Sequence, residues 1–274
     1  MAGSDANIVR TQVGRWNRGA VRRLVAVLQP MNKLYFRSEV RGLDNLPSGA
    51  SLVVCNHSGG MVTPDPAVFA VDFYRRFGYQ RPLYILAHDM LFHGPAGKWL
   101  PQLGIVQANP ENAAAALAAG AVTLLYPGGD YDVYRPTLRE NLISFAGRTG
   151  YVTAAVRAGV PIVPAVSIGG QETQLYLTRG VWLARALRLT GLERRLGRTD
   201  ILPVSIGFPF GPSALLPVNM PLPTKIITEV LKPVDVIAEY GPDADPAVVD
   251  AHVRRVMQAA LHRLARERRL PIVG

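Results

Sequence analysis

The stretch Leu52-Val53-Val54-Cys55-Asn56-His57-Ser58-Gly59-Gly60-Met61-Val62-Thr63-Pro64-Asp65 decides the fold. It opens with a short apolar run that is typical of a buried strand. The run stops at Asn56 and His57, passes through a Ser-Gly-Gly turn, and reaches Asp65 beside a proline that marks a helix start. In a parallel α/β sheet, side chains at the carboxyl end of a strand face the crevice where ligands bind. The stretch therefore predicts a strand, a turn and a helix that place His57 at such a crevice.

His57 is the leading candidate for chemistry. An imidazole titrates near neutral pH, and it takes a proton from a hydroxyl efficiently when a carboxylate orients the ring. Asp65 is the expected carboxylate, eight positions further along the chain. The alternative is structural, with His57 capping the turn and Asp65 capping the next helix.

Strands and helices alternate around this stretch. Besides the run before His57, apolar runs predict strands at 82–87, 103–108, 121–126, 160–168, 201–210 and 224–231. Helical patterns cover 66–77, 113–119, 147–158 and 247–269. The alternation from 50 to 170 predicts an α/β fold with a largely parallel central sheet flanked by helices. We expect residues 42–274 to form a single domain of this kind.

Residues 1–41 are predicted to form an amphipathic helical segment that Pro30 interrupts. Arginines are frequent from residue 7 to 41, and apolar residues recur at helical spacing at Val13, Trp16, Val21, Leu24, Val25 and Leu28. This pattern predicts membrane docking, in which the apolar face lies on a bilayer while the guanidinium groups meet phosphate. A helix that packs on the domain and keeps a solvated basic face is the alternative. Residues 178–198 carry a similar pattern and leave the same two interpretations open.

Charge points to an anionic partner. The 274 residues include 30 Lys plus Arg and 20 Asp plus Glu, for a net charge of +10. Nucleic acid, an acidic lipid surface and a phosphorylated substrate all fit such a balance. Aromatic residues do not alternate with the basic runs as a stacking platform for bases requires. We therefore expect an anionic membrane surface as a partner and no nucleic acid.

The single cysteine, Cys55, excludes an internal disulfide framework and a Cys-rich zinc module, and it fits an inert core thiol in a reducing compartment. No secretory signal is visible in the sequence. The longest apolar stretch, 113–126, is shorter than the roughly 20 residues that a bilayer requires. The expected location is the cytoplasmic face of a membrane, with the protein peripheral or monotopic.

A second candidate block follows the strand at 121–126. Gly128 and Gly129 allow close approach of the backbone to a ligand, which suits a phosphate or an oxyanion, although an ordinary tight turn is the more common reason for such a pair. Asp130, Asp132, Arg135 and Arg139 come next. His88 and His93 have the wrong spacing for a zinc helix and lack a third ligand nearby, so no metal site is expected.

Four motifs in order resemble the glycerolipid (lysophosphatidic acid) acyltransferase superfamily over residues 40–235. They are Asn56-His57, the following Asp65, the Tyr126-Pro127-Gly128-Gly129 turn, and the Val160-Pro161-Ile162-Val163-Pro164 strand. The resemblance implies an α/β fold reached through N-terminal membrane-docking helices and a role in phospholipid biosynthesis. It implies an O-acyltransferase that needs no cofactor, takes acyl-CoA or an acyl carrier protein as co-substrate, and acylates a glycerolipid or lysophospholipid.

The resemblance also assigns roles to residues. His57 becomes the general base and Asp65 its orienting carboxylate. The candidate acceptor- and oxyanion-binding residues are Asn56, Gly128, Gly129, Asp130, Arg135 and Arg139.

This chain departs from the family pattern at three places. Seven residues separate His57 from Asp65, where the family has four. Gly128 replaces the usual glutamate, as in branches that acylate neutral acceptors. The block 104–109 lacks the arginine that binds the acceptor's phosphate, so Arg135 or Arg139 is the expected substitute.

Two functions of other classes remain as alternatives. A lipid hydrolase of the serine type is disfavoured because no Gly-x-Ser-x-Gly elbow occurs. A non-catalytic basic protein that binds membrane or nucleic acid is supported by the arginine content alone.

Overall fold

A computed structural model describes residues 12–139, 141–189, 201–214, 216–268 and 270, without the side chains of 187–189. The helices are α1 Arg18–Pro30, α2 Asp65–Phe77, α3 Pro110–Ala118, α4 Gly129–Val133, α5 Gly150–Ala158, α6 Val181–Leu189, α7 Val236–Tyr240 and α8 Pro246–Glu267. The strands are β1 Glu39–Arg41, β2 Ser51–Cys55, β3 Leu83–Ala87, β4 Ile105–Gln107, β5 Val122–Leu125, β6 Ile162–Ile168, β7 Leu175–Thr178, β8 Val204–Gly207, β9 Gly211–Ala214 and β10 Ile227–Val230.

The main sheet has seven strands in the order β1-β10-β6-β2-β5-β3-β4. The strands from β6 to β4 are parallel, β10 runs antiparallel to β6, and β1 is parallel to β10. The predicted largely parallel sheet is confirmed. β2 lies at its centre with all five residues buried, and Val53 is opposite both Leu124 and Val163. This register brings the stretch after β2 to the carboxyl edge of the sheet.

Helices cover both faces of the sheet, as the alternation of elements predicted. On one face, buried residues of α5 and α8 such as Val152, Val253 and Leu261 pack against β2 and β6. On the other face, Phe69 and Phe73 of α2 belong to the same cluster as residues of α1. The central apolar strands are buried from both sides, which explains why they show no alternation of polar residues.

The N-terminal helix packs on the domain. Val21 and Val25 of α1 are buried in the second core cluster, and Trp16 and Leu28 pack against it. The apolar face defined from the sequence is therefore occupied by protein, in agreement with the packing alternative. A π turn, Met31–Tyr35, follows α1 at Pro30, and β1 then joins the main sheet. Membrane docking by this segment stays a prediction, and its first residues, 7–11, lie outside the described part.

A second, smaller sheet contains β7, β8 and β9 in antiparallel order. The strand predicted over 201–210 is present but shorter, as β8 Val204–Gly207, because the chain turns at Phe208–Phe210 and returns as β9. Gly211 follows the turn with φ of +70°, a conformation that glycine adopts without steric cost. In the predicted segment 178–198, α6 is helical, and residues 190–198 lie outside the described part.

Over the residues that the structure describes, none of the helices has the length and apolar character needed to cross a bilayer.

Candidate active site

The polypeptide leaves the central sheet at Asn56. The Asn56 amide donates from Nδ2 to the Ser167 carbonyl at 2.9 Å and accepts at Oδ1 from the Ser167 N–H at 2.8 Å. These two bonds continue the β2–β6 pairing with a side chain in place of a backbone. Asn56 is fully buried. The structure therefore gives this residue, expected on the acceptor side, a place behind the site where it fixes the direction of the next residue.

His57 and Asp65 face each other. The His57 Nδ1 lies 3.3 Å from the Asp65 Oδ2. The side chain of His57 is 16% exposed and that of Asp65 is 1% exposed, so the ring reaches the surface while the carboxylate does not. A 3-10 turn at Gly60–Val62 takes up the long sequence spacing, with Gly59 and Gly60 both at positive φ. The seven intervening residues thus form a compact loop that returns the aspartate to the histidine.

Asp65 is held by several donors. The Ser58 N–H donates to Oδ2 at 2.7 Å, and the Ser58 hydroxyl lies 3.0 Å from both carboxylate oxygens. The Ser167 hydroxyl donates to Oδ1 at 3.0 Å from β6. A carboxylate fixed in this way keeps one orientation toward the imidazole. Sequence reasoning missed Ser58 and Ser167, because neither stands in a recognisable motif for this role.

The hydrogen-bond network assigns the tautomer of His57. The Thr63 hydroxyl donates to the Ser58 carbonyl at 2.7 Å, and its oxygen lies 3.3 Å from the His57 Nδ1. Thr63 and Asp65 therefore both offer acceptors to Nδ1, which places the ring proton on that nitrogen. The Nε2 is then the basic nitrogen of the neutral ring.

The Tyr126 ring stacks on the His57 ring, with centroids 4.2 Å apart and planes inclined by 22°. Burial raises the pKa of the Tyr126 phenol well above its usual value, so this hydroxyl stays protonated near neutral pH. Tyr126 directly follows β5 and precedes the Gly-Gly turn, so its contact with His57 joins the two sequence motifs.

Asp132 and Arg135 clamp the backbone of His57. The Asp132 Oδ2 accepts from the His57 N–H at 2.7 Å, and the Arg135 Nη1 donates to the His57 carbonyl at 3.2 Å. The two side chains also form an ion pair with each other. Burial raises the pKa of Asp132, and Arg135 opposes that shift. The Arg135 side chain is 2% exposed, so the structure gives the expected phosphate ligand a positioning contact with His57 instead.

The Gly128–Gly129 turn is tightly packed. A Cβ on Gly128 would overlap the side chain of Asp132 and would lie 2.7 Å from the Ser144 carbonyl oxygen, so a glutamate does not fit at this place. The Gly129 N–H donates to the Tyr126 carbonyl at 3.0 Å. That N–H closes the turn and does not point outward as an oxyanion donor would.

Arg148 supports the same turn from outside. Its guanidinium donates to the Gly128 carbonyl at 2.8 Å and to the Asp130 carboxylate at 2.9 Å, and the side chain is half exposed. The sequence contains no local signal for Arg148. Arg139 is exposed at the end of a 3-10 turn and lies outside the hydrogen-bond network around His57.

Within the described ranges, no group of three or more His, Cys, Asp or Glu side chains is arranged to hold a metal ion. His88 caps a turn, where its Nδ1 accepts from the Met90 N–H at 3.2 Å.

A family model described as Acyltransferase matches residues 37–168. The matched range contains His57, Asp65, the Gly128–Gly129 turn and Ser167. The uncharacterized protein Rv0502 of Mycobacterium tuberculosis is 33% identical over 256 residues, which are 89% of this chain and 67% of that protein. The uncharacterized protein ML2427 of Mycobacterium leprae is 32% identical, over 89% of this chain and 65% of that protein.

The fold is also found among solved structures. The 1-acyl-sn-glycerophosphate (LPA) acyltransferase PlsC of Thermotoga maritima superposes with a TM-score of 0.55 at 17% sequence identity. The alignment covers 90% of this chain and 82% of PlsC.

Proposed function

The chain belongs to the acyltransferase family, as the resemblance in its motifs indicated, and from that membership we propose that it transfers a fatty acyl group to a hydroxyl of a glycerolipid or lysophospholipid. The acyl donor in this proposal is acyl-CoA or an acyl carrier protein. The pairing of His57 with Asp65 at a strand end carries the proposal. PlsC, which shares the fold, is named for an acceptor of the glycerolipid class.

His57 is the proposed general base. Its Nε2 removes the proton from the acceptor's hydroxyl, and the oxygen attacks the thioester carbonyl. The tetrahedral intermediate then breaks the C–S bond, the ester forms, and the imidazolium returns its proton to the leaving thiolate. Asp65 holds the Nδ1 proton and stabilises the imidazolium between the two steps. The His57 ring is partly exposed, as a base that contacts substrate must be, and the carboxylate of its partner Asp65 is buried.

The negative charge on the tetrahedral oxygen requires a hydrogen-bond donor. Because the Gly129 N–H is engaged with Tyr126, we assign this role to the Gly128 N–H. Arg148 and Asp132 hold the turn in place from its two sides.

The proposal has two forms, in which the acceptor either carries a phosphate or is neutral. Arg135 is buried between Asp132 and the His57 carbonyl, whereas Arg139 is exposed and Arg148 is half exposed, so the latter two are the candidates for a phosphate. A neutral acceptor requires neither. A panel of lysophospholipid, monoacylglycerol and diacylglycerol with one radiolabelled acyl-CoA identifies the form.

The proposed location is the cytoplasmic face of a membrane, with the protein peripheral or monotopic. The net charge of +10 favours an anionic surface. Around the end of α1, the apolar side chains of Val27, Met31 and Leu34 are exposed. These residues differ from the face of α1 that packs on the domain, and they are the ones available to a bilayer.

Thiol release from acyl-CoA in the presence of acceptor tests the base. We expect His57→Ala to lower kcat roughly 100-fold or more, because a positioned base contributes at least that factor. His262→Ala, which removes an exposed histidine from α8, is the matched control and should behave as the unaltered protein. Analysis of the product separates transfer from hydrolysis, since only transfer gives an acylated acceptor. A His57→Ala protein that transfers at the original rate contradicts the assignment.

A further inference from the structure

The small sheet β7–β9 presents apolar side chains to the outside and polar side chains to the inside. Ser205 and Ser213 are buried, and their hydroxyl oxygens lie 3.0 Å apart. The neighbouring residues on β7 and β8, Leu175, Leu177 and Ile206, are exposed. In a water-soluble antiparallel sheet the apolar side chains face the core and the polar ones face water. In this sheet two leucines and an isoleucine face outward, and the two serines lie on the inner face beside Tyr176.

The exposed apolar side chains continue into the turn between β8 and β9. Phe208 is 73% exposed and Phe210 is 55% exposed. Leu175 pairs directly with Ile206, so the two side chains lie on one face. We call Leu175, Leu177, Ile206, Phe208 and Phe210 the apolar outer face. Contiguous exposed apolar surface of this kind marks a contact with a membrane or another protein.

We propose that the apolar outer face inserts into the interfacial layer of an anionic lipid bilayer. Charge supports a bilayer as the occupant. The sequence from 173 to 228 contains six Arg and one Lys, against two acidic residues, Glu193 and Asp200. Exposed aromatic side chains at a turn, in a segment of net positive charge, suit the boundary between headgroups and acyl chains.

The apolar outer face is also continuous with the segment proposed above to dock. The Met220 N–H donates to the Phe208 carbonyl at 2.8 Å, and the Tyr35 hydroxyl donates to the Pro221 carbonyl at 2.6 Å. Met220 is exposed, as are Met31 and Leu34 next to Tyr35. The hairpin turn and the end of α1 are thus joined through one stretch of chain, which bonds to both.

The inner face of the sheet lies on the catalytic loop. The Tyr176 phenol occupies the space beside Gly60, and its hydroxyl bonds with the Met61 backbone. A bilayer on the outer face is therefore separated from the His57 loop by a single sheet, or roughly the 10 Å spacing of packed layers. The inference rests on the proposed function at one point only: a bilayer docked on this face would bring a lipid acceptor close to His57.

Flotation with vesicles tests the inference without any acyl donor. The probes are vesicles of phosphatidylcholine alone and of phosphatidylcholine with phosphatidylglycerol. We expect Phe208→Ser/Phe210→Ser to lower the partition coefficient on the anionic vesicles roughly tenfold or more, because each ring loses its transfer from water. Leu175→Ser/Leu177→Ser should act in the same direction. The matched control, Ile237→Ser/Val248→Ser, removes two exposed apolar residues from α7 and α8 and should bind as the unaltered protein.

Two further variants separate vesicle binding from a folding defect and from the proposed acyl transfer. Phe208→Trp/Phe210→Trp should retain binding, because tryptophan also partitions into the interfacial layer. Unchanged thermal unfolding of the serine variants excludes a folding defect as the cause of their weaker binding. His57→Ala should bind vesicles normally, so a failure of the proposed chemistry does not affect this result. Unchanged vesicle binding by both serine variants overturns the inference. A concentration-dependent dimer that these variants abolish, with vesicle binding intact, assigns the face to a second copy of the chain and also overturns it.

Discussion

At the level of single residues, the position of the Asp65 carboxylate determines how the His57 ring is oriented. Its carboxylate accepts hydrogen bonds from Ser58 and Ser167 and faces the His57 Nδ1. These donors come from a loop and from a neighbouring strand, so the position of the carboxylate depends on the main sheet. A displacement of the Asp65 carboxylate therefore changes the orientation of the imidazole as well.

Replacing this carboxylate tests the dyad. In Asp65→Asn, an amide N–H₂ must face either the serine donors or the Nδ1 proton, and the ring loses its stabilising charge. We expect kcat to fall roughly 100-fold or more with a smaller change in KM. Asp72→Asn, also on α2 but paired with Lys33, is the matched control. Equal rates for the two variants would remove Asp65 from the mechanism.

Ser167 offers a milder perturbation of the same group. Ser167→Ala removes one hydrogen bond to a buried carboxylate and leaves the Asn56 bonds to the Ser167 backbone intact. We expect the free energy of unfolding to fall by about 1–3 kcal/mol, together with a loss of kcat smaller than that of Asp65→Asn. Chemical denaturation and steady-state kinetics provide the two values. A variant with full activity and full stability would show that Ser167 does not hold the carboxylate.

Residues with a local signal could be predicted from the sequence, and residues supplied by distant segments could not. His57 and the Gly-Gly turn follow strands, Asp65 stands at a helix start marked by a proline, and the order of these motifs resembles a known family. Ser167 reaches Asp65 only because β6 pairs with β2, and Arg148 reaches the turn from a loop before α5. The burial of Arg135 likewise depends on Asp132 and the His57 backbone, which no spacing in the sequence reveals.

At the level of elements, β7 is tied to the catalytic loop through Tyr176 and Gly60. A Cβ on Gly60 would overlap the Tyr176 hydroxyl and lie 2.5 Å from its Cζ. Gly60 also has φ of +68°, where an alanine is strained. The close contact requires glycine at this position, and it explains how the small sheet and the loop keep a fixed separation.

A double-mutant cycle isolates that contact. We expect Gly60→Ala to destabilise the protein by more than Gly159→Ala, because Gly159 has a similar φ of +62° but open space at its Cβ position. The extra cost comes from the overlap, so Tyr176→Phe should recover part of it in the Gly60→Ala background. Thermal unfolding of the four proteins measures the coupling. Additive effects would mean that the hydroxyl is not the group in the way.

The small sheet is also the element that sequence patterns described worst. The alternation rule assigns apolar residues to the buried face, whereas Leu175 and Leu177 are exposed and Ser205 is buried. The central strands β2, β5 and β6 were predicted correctly because burial on both faces requires continuous apolar runs. β1 has only three residues, and its place in the sheet depends on β10, which lies far away in the sequence.

Cys55 reports on the integrity of the central strand. Burial raises the pKa of its thiol well above 9, and the thiolate is the form that reacts. We expect iodoacetamide at pH 8 to leave the folded protein unlabelled and to label it fully in denaturant, as mass spectrometry would show. Rapid labelling of the folded protein would mean that β2 opens to solvent at its carboxyl end.

At the level of the whole molecule, the N-terminal turn is fastened to the sheet by Tyr84. Its hydroxyl donates to the Val13 carbonyl at 2.6 Å, and burial raises the pKa of Tyr84 to about 12. A raised pKa means that the folded state favours the protonated phenol. This contribution to stability is present below pH 10 and is lost as the pH rises from 10 to about 12.

Measuring the free energy of unfolding between pH 10 and 12 tests this contribution of Tyr84. We expect the unaltered protein to lose more stability between pH 10 and 12 than Tyr84→Phe, since the variant has no phenol to ionise. Tyr35→Phe is the control, because Tyr35 is exposed and bonds at the other end of α1. Urea denaturation at a series of pH values gives both curves. Identical slopes for the unaltered protein and Tyr84→Phe would contradict the linkage.

The pairing of β1 with β10 has a consequence for how the protein is made. Glu39 is opposite Ile227 in the sheet, so the strand that is synthesised first at this edge has no partner until almost all of the described chain has left the ribosome. Until then β1 exposes unpaired backbone groups, which is the state of a nascent chain in which intermolecular association begins. The edge of the main sheet that β1 and β10 form therefore closes late, after the central strands have had the chance to pair with one another.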